Sequence, residues 1–532
     1  MSVDSAKPVA ASQSDTGTRR RLPPHALPVL GVTAGMTGIY CLVSLTLQHT
    51  LVTSSYDMVI FDQAVRSYAH LEPGISIIKG DHNGFGPNFS VLGDHFSPII
   101  AILAPFYWVD NGPQTLLVAQ AVLFALAVPP LWVYTRRAFG GERSGRTAVA
   151  AAYCVSVAYA LSWPLAQAAI FDFHEVAFAP VLTAVAFERL QAGRWRTALI
   201  ALGLLLLVKE DMGLFVAGIG LFLVVQDLLM RQATVPRQRL LGLILVVAGI
   251  IAALVSVYVL IPAFGGRSNY YWGYGELGSN ASQAAGHIVA HPIGTLHILV
   301  TPGVKVETYL WLLAPFLFLS LLSPAVLPVV PLLLERMLNV RFPAWWGLIG
   351  QYSAYLVVAL VVAAVDGAVR LNRWTRRARQ QQNGGAVPPR VALSCVAAMA
   401  VIAVALVPYI PLGRLFTPQF YHRTPQQAAA AEAAAAVPSG VTVEAVSNVG
   451  PQLTSRDTVL LWDGDGASPL YPPWVVASVR WRVWSFSSIA EQVQRVRLLE
   501  RHGYRVVFER DGYLLLRAPG VTSSVSGQGG SK

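Results

Sequence analysis

The stretch LLGLILVVAGIIAALVSVYVLIP, residues 240–262, contains no charged side chain. An α-helix rises about 1.5 Å per residue, so about 20 such residues cross the roughly 30 Å hydrocarbon core of a bilayer. Comparable apolar runs recur along the chain. The sequence therefore predicts a polytopic α-helical membrane protein.

Composition supports the same class. The 532 residues are 54% hydrophobic and 13% charged, about half the charged share of an average soluble domain. The net charge of +11 comes from short basic clusters between apolar runs, which indicates orientation in a membrane rather than nucleic-acid binding. Cys41, Cys154 and Cys395 lie far apart within apolar runs, so neither a disulfide framework nor a metal motif is indicated.

Hydropathy predicts about eleven transmembrane helices. The first run follows Arg19, Arg20 and Arg21, but it is too long for a signal-peptide core and lacks a cleavage pattern, which favours an uncleaved helix. Residues 1–25 are polar and predicted to be disordered and cytoplasmic. The predicted spans are 26–47, 115–135, 147–165, 176–190, 197–209, 213–230, 240–262, 307–323, 324–334, 345–366 and 391–411.

The positive-inside rule then orients these spans. With every basic cluster in the cytoplasm, eleven spans put the N-terminus inside and the C-terminus outside. An odd number of spans requires a hairpin within 307–334, where four prolines are also expected to interrupt a continuous helix. The basic clusters are 19–21, 136–146, 189–196, 231–239 and 370–390.

Two long loops and a C-terminal domain are predicted outside. Loops 48–114 and 263–306 have the length of functional loops, and PIIAILAPFYWV (98–109) predicts a helix along the membrane interface. Residues 418–519 predict a soluble extracytoplasmic α/β domain, with a helix at 425–437, a strand near 441–446 and a hairpin that turns at Asp511-Gly512. The tail 520–532 is predicted to be disordered. No internal repeat is visible, which disfavours transporters built from repeats.

Five polar motifs fall on the predicted outer side, although the orientation used only basic residues. They are SYDMVIFDQ with Asp57 and Asp62, GDHFSP with Asp94 and His95, FDFHE with Asp172, His174 and Glu175, KED with Lys209, Glu210 and Asp211, and ER with Glu335 and Arg336. Ionisable groups at a membrane edge are costly and usually functional. Together they suit a lipid-linked anionic donor and a polar acceptor, with one base and cations for a phosphate.

Each motif also has a plainer interpretation. Asp57 could cap a helix that begins at Met58, and Asp94 could cap the turn before Pro98. Asp57 and Asp62 would diverge by about 140° on one helix, so they share a site only if the chain bends between them. The FDFHE motif could be a metal site or an ordinary polar loop. Lys209 could form a structural ion pair, and Arg336 could snorkel rather than bind phosphate.

The order and spacing of these motifs resemble the DUF2079 family of bacterial multi-pass proteins, over roughly residues 50–360. That family is similar to the GT-C superfamily of integral-membrane glycosyltransferases. The resemblance implies transfer of a sugar, with inversion, from a polyprenyl-phosphate donor to an extracytoplasmic glycan, lipid or protein.

The resemblance also implies roles for the residues of the motifs. Asp57 would be the catalytic base, and Asp62 would orient the base or the sugar, or bind a metal. Lys209 and Arg336 would bind the phosphate. Asp94, His95, Asp172 and His174 would shape the sugar pocket, with Glu175, Glu210, Asp211 and Glu335 as further substrate-binding candidates. Met58 stands where many sugar-transferase relatives carry a second acid, so the need for a divalent metal stays open.

Two other classes compete with a glycosyltransferase. A transporter or flippase of a lipid-linked or polar solute would use the acids as proton or cation sites. An assembly factor would instead bind wall components through its C-terminal domain. The acids cluster at helix ends and loops rather than in the middle of spans, which favours surface chemistry.

Overall fold

The computed structural model describes residues 25–140, 145–230, 236–383, 390–464 and 471–521. Within these ranges the chain is mostly helical, and it carries one small sheet near its C-terminal end. The predicted disorder of residues 1–24 and of the tail from 522 onward lies outside the described residues.

Six helical segments in the described ranges are long and apolar enough to cross a membrane. They coincide with six of the predicted spans, so the membrane class is confirmed. These segments are Ala26–His49, Pro113–Ala138, Arg146–Ile170, Met212–Leu229, Gln238–Ala263 and Val391–Tyr409.

The membrane part contains both long and short helices. They are α1 Ala26–His49, α2 Ile60–Ala69, α3 Ile77–His82, α4 Pro113–Ala125, α5 Val128–Ala138, α6 Arg146–Ala160, α7 Trp163–Ile170, α8 Phe178–Gln191, α9 Trp195–Leu205, α10 Met212–Met230, α11 Pro236–Val255, α12 Ile261–Ala263, α13 Ala281–Ala290, α14 Pro292–Val300, α15 Val304–Leu313, α16 Val329–Leu338, α17 Val357–Asn383 and α18 Arg390–Leu406. Two π-helical turns occur at Ser55–Val59 and Ser256–Leu260. Such turns frequently mark functional sites.

Three of the other predicted spans, 307–323, 324–334 and 345–366, have the wrong boundaries. The run 307–334 forms neither one helix nor two full helices: α15 ends at Leu313, Leu317 and Phe318 adopt left-handed backbone angles, and α16 begins only at Val329. The prolines in this run remove backbone donors and stop helix propagation. The span predicted at 345–366 instead begins as a helix at Val357 and continues to Asn383.

The predicted interfacial helix at 98–109 is a 3₁₀ helix, Pro98–Trp108, with Pro105 inside it. The proline lacks an amide N–H, which prevents regular α-helical bonding. Phe106, Trp108 and Val109 are exposed there and form an apolar surface.

Helices α10 and α11 approach each other closely because glycines face glycines. A β-carbon at Gly213 would lie 2.5 Å from the backbone oxygen of Gly249, and one at Gly220 would lie 2.5 Å from that of Gly242. Small residues that let backbones touch are the usual basis of helix pairing in a membrane. The pair fixes the start of α10 against the end of α11, and both ends contribute to the site described below.

The C-terminal part folds around a five-stranded sheet. Its helices are α19 Pro425–Ala436, α20 Gly450–Leu453 and α21 Ile489–Arg501, and its strands are β1 Thr442–Ala445, β2 Thr458–Leu461, β3 Trp474–Ser478, β4 Arg505–Arg510 and β5 Tyr513–Arg517. The strand order is β2-β1-β3-β5-β4, in which β1 pairs in parallel with β2 and β3, and β5 pairs antiparallel with β3 and β4. The predicted hairpin is confirmed: Asp511 and Gly512 both have positive φ, as a tight two-residue turn requires.

Candidate functional site

A cavity of about 420 Å³ collects side chains from three of the five polar motifs. Its volume is within the range of small-molecule sites. We call it the polar cavity. The motif residues that line it are Asp94, His95, Lys209, Glu210, Asp211, Glu335 and Arg336.

One wall of the polar cavity is apolar. It is formed by Leu254 at the end of α11, by Val257 and Tyr258 of the second π turn, and by Ile261. Leu254 is 49% exposed and Tyr258 is 52% exposed, so this wall reaches the apolar outer surface of a span. The cavity therefore joins a charged interior to a surface that suits a hydrocarbon chain.

A larger cavity, of about 830 Å³, lies elsewhere, between α9 and α11. Arg194, Trp195 and Leu240 line it, and none of the five polar motifs contributes to it. The charged chemistry predicted from the sequence therefore belongs to the smaller cavity.

The KED motif occupies the tight connection between α9 and α10. The Lys209 Nζ atom lies 3.3 Å from a carboxylate oxygen of Glu175, which is 1% exposed. Glu210 accepts hydrogen bonds from His95 Nδ1 at 2.7 Å and from the backbone N–H of Phe96 at 3.1 Å. These contacts fix three motifs from distant parts of the sequence against one another. Lys209 therefore forms an ion pair with Glu175 and also lines the polar cavity.

Asp211 has an oxygen that is available to a ligand. Its Oδ1 atom is buried and has no hydrogen-bond partner among the described residues. Burial raises the pKa of Asp211 to about 7, and the Lys209 cation opposes this rise. Unpaired buried acceptors are rare in folded proteins, which makes this oxygen a candidate ligand contact.

Asp94 is held as a carboxylate rather than used as a helix cap. Lys79 Nζ lies 3.0 Å from Asp94 Oδ2, and the Tyr271 hydroxyl donates to Oδ1 at 2.7 Å. Burial alone would raise the pKa of Asp94, but Lys79 and His95 together lower it below its ordinary value. The capping alternative is therefore wrong, and Asp94 presents a fixed negative charge to the cavity.

Arg336 touches the cavity, but its guanidinium is already engaged. It donates to the backbone carbonyls of Trp345, Gly347 and Tyr352 and to the hydroxyl of Ser353. Four of its five N–H donors are thus directed at the loop that precedes α17. The role of phosphate ligand implied for Arg336 does not fit this geometry, and its role is to hold that loop.

Asp57 lies beside the polar cavity rather than in its wall. It sits inside the first π turn, where its Oδ1 atom is 3.5 Å from Nε2 of His174, so it is not a helix cap. Its side chain is 29% exposed, whereas that of His174 is 7% exposed. Tyr352 lines the cavity and is close enough to feel the charges of both Lys209 and Asp57. Asp57 therefore lies near the cavity, on the side of Tyr352.

Asp172 holds the backbone that leads into this π turn. Both of its carboxylate oxygens accept from the backbone N–H of Ser54, at 3.1 and 3.0 Å. Burial, together with the charge of Asp57, raises the pKa of Asp172 well above its ordinary range. His174 stacks on Phe171, so the FDFHE motif forms a packed support for Asp57 rather than a solvated loop.

Asp62 is in a different environment. It is 0% exposed and accepts from Arg66 at 2.7 Å, from the Tyr107 hydroxyl at 2.8 Å and from the Thr454 hydroxyl at 2.7 Å. The helix-wheel prediction that the two aspartates diverge is correct. The catalytic role predicted for Asp62 does not fit, because its oxygens join α2 to the 3₁₀ helix and to the C-terminal part of the chain.

Sequence reasoning missed several polar residues at the site. Lys79 is buried yet neutralises Asp94, and Tyr271 and Tyr352 line the cavity. Arg267 also lines it and stacks on Phe85, and its guanidinium makes no hydrogen bond or ion pair within the described residues. The sequence signal for this wall is the aromatic run NYYWGYGELG, residues 269–278 of the second long loop, and Arg267 lies just before it.

The carboxylates do not converge as a metal site. Across the described ranges, no group of three or more His, Cys, Asp or Glu side chains is arranged to hold a metal ion.

The comparisons with known proteins agree with the membrane fold. A family model described as "Predicted membrane protein (DUF2079)" matches residues 48–515, which is most of the chain. No curated protein matches it.

Proposed function

The chain belongs to the DUF2079 family of membrane proteins, and we propose that it is a glycosyltransferase with a GT-C-like architecture. It takes a sugar from a polyprenyl-phosphate donor and transfers it, with inversion, to an extracytoplasmic glycan, lipid or protein. In this proposal the distribution of basic clusters places the N-terminus in the cytoplasm and the polar cavity and the C-terminal sheet outside.

The observation that carries the proposal is the two-sided polar cavity. Carboxylates and cations line its interior, and an exposed apolar wall of α11 leads out of it. A lipid-linked sugar has the same two parts, a polar head that carries a phosphate and a long hydrocarbon tail. Burying the tail along the apolar wall contributes about 25 cal/mol per Å² of covered apolar surface.

Lys209 and Arg267 are the proposed phosphate ligands. Both line the cavity, and Arg267 has its guanidinium free for a bidentate contact with phosphate oxygens. Asp94, Asp211 and Glu335 offer carboxylate oxygens to the hydroxyls of the donor sugar. The tyrosines of the wall supply packing for the sugar ring.

Asp57 is the proposed base. It is partly exposed, His174 lies 3.5 Å from its carboxylate, and Asp172 holds the backbone of the same segment at Ser54. The acceptor hydroxyl oxygen attacks the anomeric carbon while Asp57 takes the hydroxyl proton. The bond between that carbon and the phosphate oxygen breaks, and polyprenyl phosphate leaves with the electron pair. One displacement of this kind inverts the anomeric centre.

Removing Arg267 tests the phosphate site. Arg267→Gln is expected to weaken binding of polyprenyl phosphate about tenfold or more, because a hydrogen bond to a charged group contributes about 1.5–3 kcal/mol. Stability should be unchanged, since the side chain is exposed. The measurement is the dissociation constant for labelled polyprenyl phosphate with the purified protein. Arg341→Gln is the matched control, because Arg341 is exposed nearby but lies outside the cavity. Equal affinities in both variants would exclude Arg267 as a phosphate ligand.

Asp211 should make donor binding depend on pH. With a pKa of about 7, it is protonated and neutral at pH 6 and charged at pH 8. The donor is a phosphate diester that stays singly anionic over this range, so its affinity should fall as the pH rises. One added charge in a partly screened site amounts to about 1 kcal/mol, or roughly fivefold. Asp211→Asn should flatten the profile between pH 6 and 8, even though Lys209, Glu210 and His95 remain nearby. An unchanged profile would contradict this role.

A transporter of lipid-linked or polar solutes is the second candidate, because a buried carboxyl group with a pKa of about 7 could carry a proton. Proteoliposomes loaded with labelled donor separate the two functions. Transfer of the sugar without movement of intact donor across the bilayer supports the transferase. Movement of intact donor without its consumption supports the transporter.

A further inference from the structure

The parallel strands of the C-terminal sheet point their carboxyl ends at the segment that carries Asp57. In sheets of this kind, ligands bind outside the carboxyl ends of the strands. Ser447 follows β1 and accepts from the backbone N–H of Ser55 at 2.7 Å. Asp463 follows β2 and pairs with His82 at 2.6 Å. Trp484, beyond the end of β3, packs on Tyr56 with ring centroids 5.4 Å apart. All three strand ends therefore meet the first long loop.

Three rings form a cluster at this junction. Tyr56 and His82 lie 5.2 Å apart, His82 and Trp484 lie 6.2 Å apart, and each pair is close to perpendicular. Trp484 is 54% exposed, although its indole N–H is fixed by a hydrogen bond to the Ser447 hydroxyl at 3.1 Å. A large apolar ring held open to solvent by its neighbours is typical of a binding surface rather than of a core.

Two carboxylates lie beside the rings, and one of them has an oxygen that is unpaired among the described residues. Asp57 follows Tyr56 in the same π turn and is partly exposed. Asp463 is 5% exposed, and its Oδ1 atom has no hydrogen-bond partner in the described parts of the chain. A buried carboxylate oxygen without a partner, next to an exposed aromatic ring, indicates a surface that binds a ligand with hydroxyl groups.

We propose that this junction is the acceptor site and that it binds a carbohydrate. The inference rests on the proposed function, which it extends by naming the acceptor class. The C–H face of a sugar ring packs on the Trp484 indole, and its hydroxyls hydrogen-bond to His82 and Asp57. An acceptor bound in this way has a hydroxyl beside Asp57, the proposed base. The C-terminal sheet thereby completes the active site rather than forming a separate binding module.

Binding of methyl glycosides tests the site directly. The full-length purified protein is mixed with methyl glycosides of mannose, galactose, glucose and arabinose and with their linear trisaccharides, and saturation-transfer NMR reports contact. We expect at least one of these probes to show transfer in the wild type and to lose it at least fivefold in Trp484→Ala. Trp484→Phe keeps a ring and should retain most of the signal.

Trp108→Ala is the matched control. Trp108 is also an exposed tryptophan that donates its indole N–H to an oxygen, but it lies on the 3₁₀ helix. If no probe shows transfer in the wild type, or if Trp484→Ala and Trp108→Ala behave alike, the acceptor site is wrong. Donor consumption by the wild type is measured separately. If the donor is consumed but no probe binds, the acceptor site is wrong and the transferase stands. If a probe binds in a way that depends on Trp484 but the donor is not consumed, the carbohydrate site stands and the transferase is wrong.

Discussion

Asp57→Asn should lower the rate of sugar transfer by about 100-fold or more, because general bases contribute about 10²–10⁴ in rate. The amide is the same size as the carboxylate, but it cannot take a proton from the acceptor hydroxyl. Asp57 lies outside the wall of the polar cavity, so the affinity for polyprenyl phosphate should change by less than about threefold. The measurements are initial rates with a radiolabelled donor and dissociation constants for polyprenyl phosphate.

Asp110→Asn is the control for this substitution. Asp110 is an exposed aspartate of the same long loop and lines no part of the polar cavity. Its substitution should leave the rate unchanged. Asp211→Asn tests the alternative that Asp211 is the base, because Asp211 lines the cavity and its Oδ1 atom has no hydrogen-bond partner among the described residues. If Asp211→Asn abolishes transfer while Asp57→Asn retains full activity, Asp211 is the base.

Arg336→Met should destabilise the protein by about 3 kcal/mol or more. The substitution leaves three backbone carbonyls and the Ser353 hydroxyl without their donor in a buried region, and each charge-assisted hydrogen bond contributes about 1.5–3 kcal/mol. Arg336→Lys keeps the charge but loses the planar fork, so it should rescue little. The measurement is the midpoint of thermal unfolding in detergent, followed by size-exclusion chromatography.

Arg341→Met is the matched comparison for stability. Arg341 is exposed and donates one hydrogen bond to the carbonyl of Tyr270, so its loss should have little effect. The alternative is that Arg336 binds the donor phosphate. Arg336→Met would then weaken binding of polyprenyl phosphate while leaving the unfolding midpoint unchanged, and this outcome would contradict the structural role.

Much of the fold could be predicted from local sequence. Uninterrupted apolar runs such as 240–262 give the spans, because hydrocarbon excludes unpaired backbone groups and charges alike. The Asp511-Gly512 hairpin was equally clear, since only certain residues accept positive φ in both turn positions. The predicted spans were wrong in regions rich in proline, such as 307–334, because hydropathy measures polarity and does not report where helices break.

The sequence motifs indicate which polar residues come together, but they do not indicate what each of these residues contacts. The predicted orientation puts Asp57, Asp94, Asp211 and Glu335 on the outer side of the membrane. The structure brings Asp94, Asp211 and Glu335 around one cavity. Whether a charged group faces a ligand or a neighbour depends on tertiary packing. Asp62 meets Thr454, which lies 392 positions away along the chain. Arg336 is occupied by carbonyls, which sequence patterns do not reveal.

The role of the C-terminal sheet could not be derived from sequence at all. Its strands were visible as local patterns, but their contact with the loop of Asp57 depends on pairs such as His82 and Asp463. Such pairs have no local signature. The parallel order of β2, β1 and β3 points the carboxyl ends of these strands at the loop that carries Asp57, which is the basis of the proposed acceptor site.

The most direct test of the central claim uses a polyprenyl-phosphate sugar labelled with ³²P in the phosphate and ³H in the sugar. Purified wild-type protein is incubated with this donor and an envelope glycan acceptor, and the products are separated into lipid and glycan fractions. The account predicts ³²P in polyprenyl phosphate and ³H in the glycan in equal amounts, with neither product formed by Asp57→Asn. Intact doubly labelled donor after incubation with active, folded protein would contradict it.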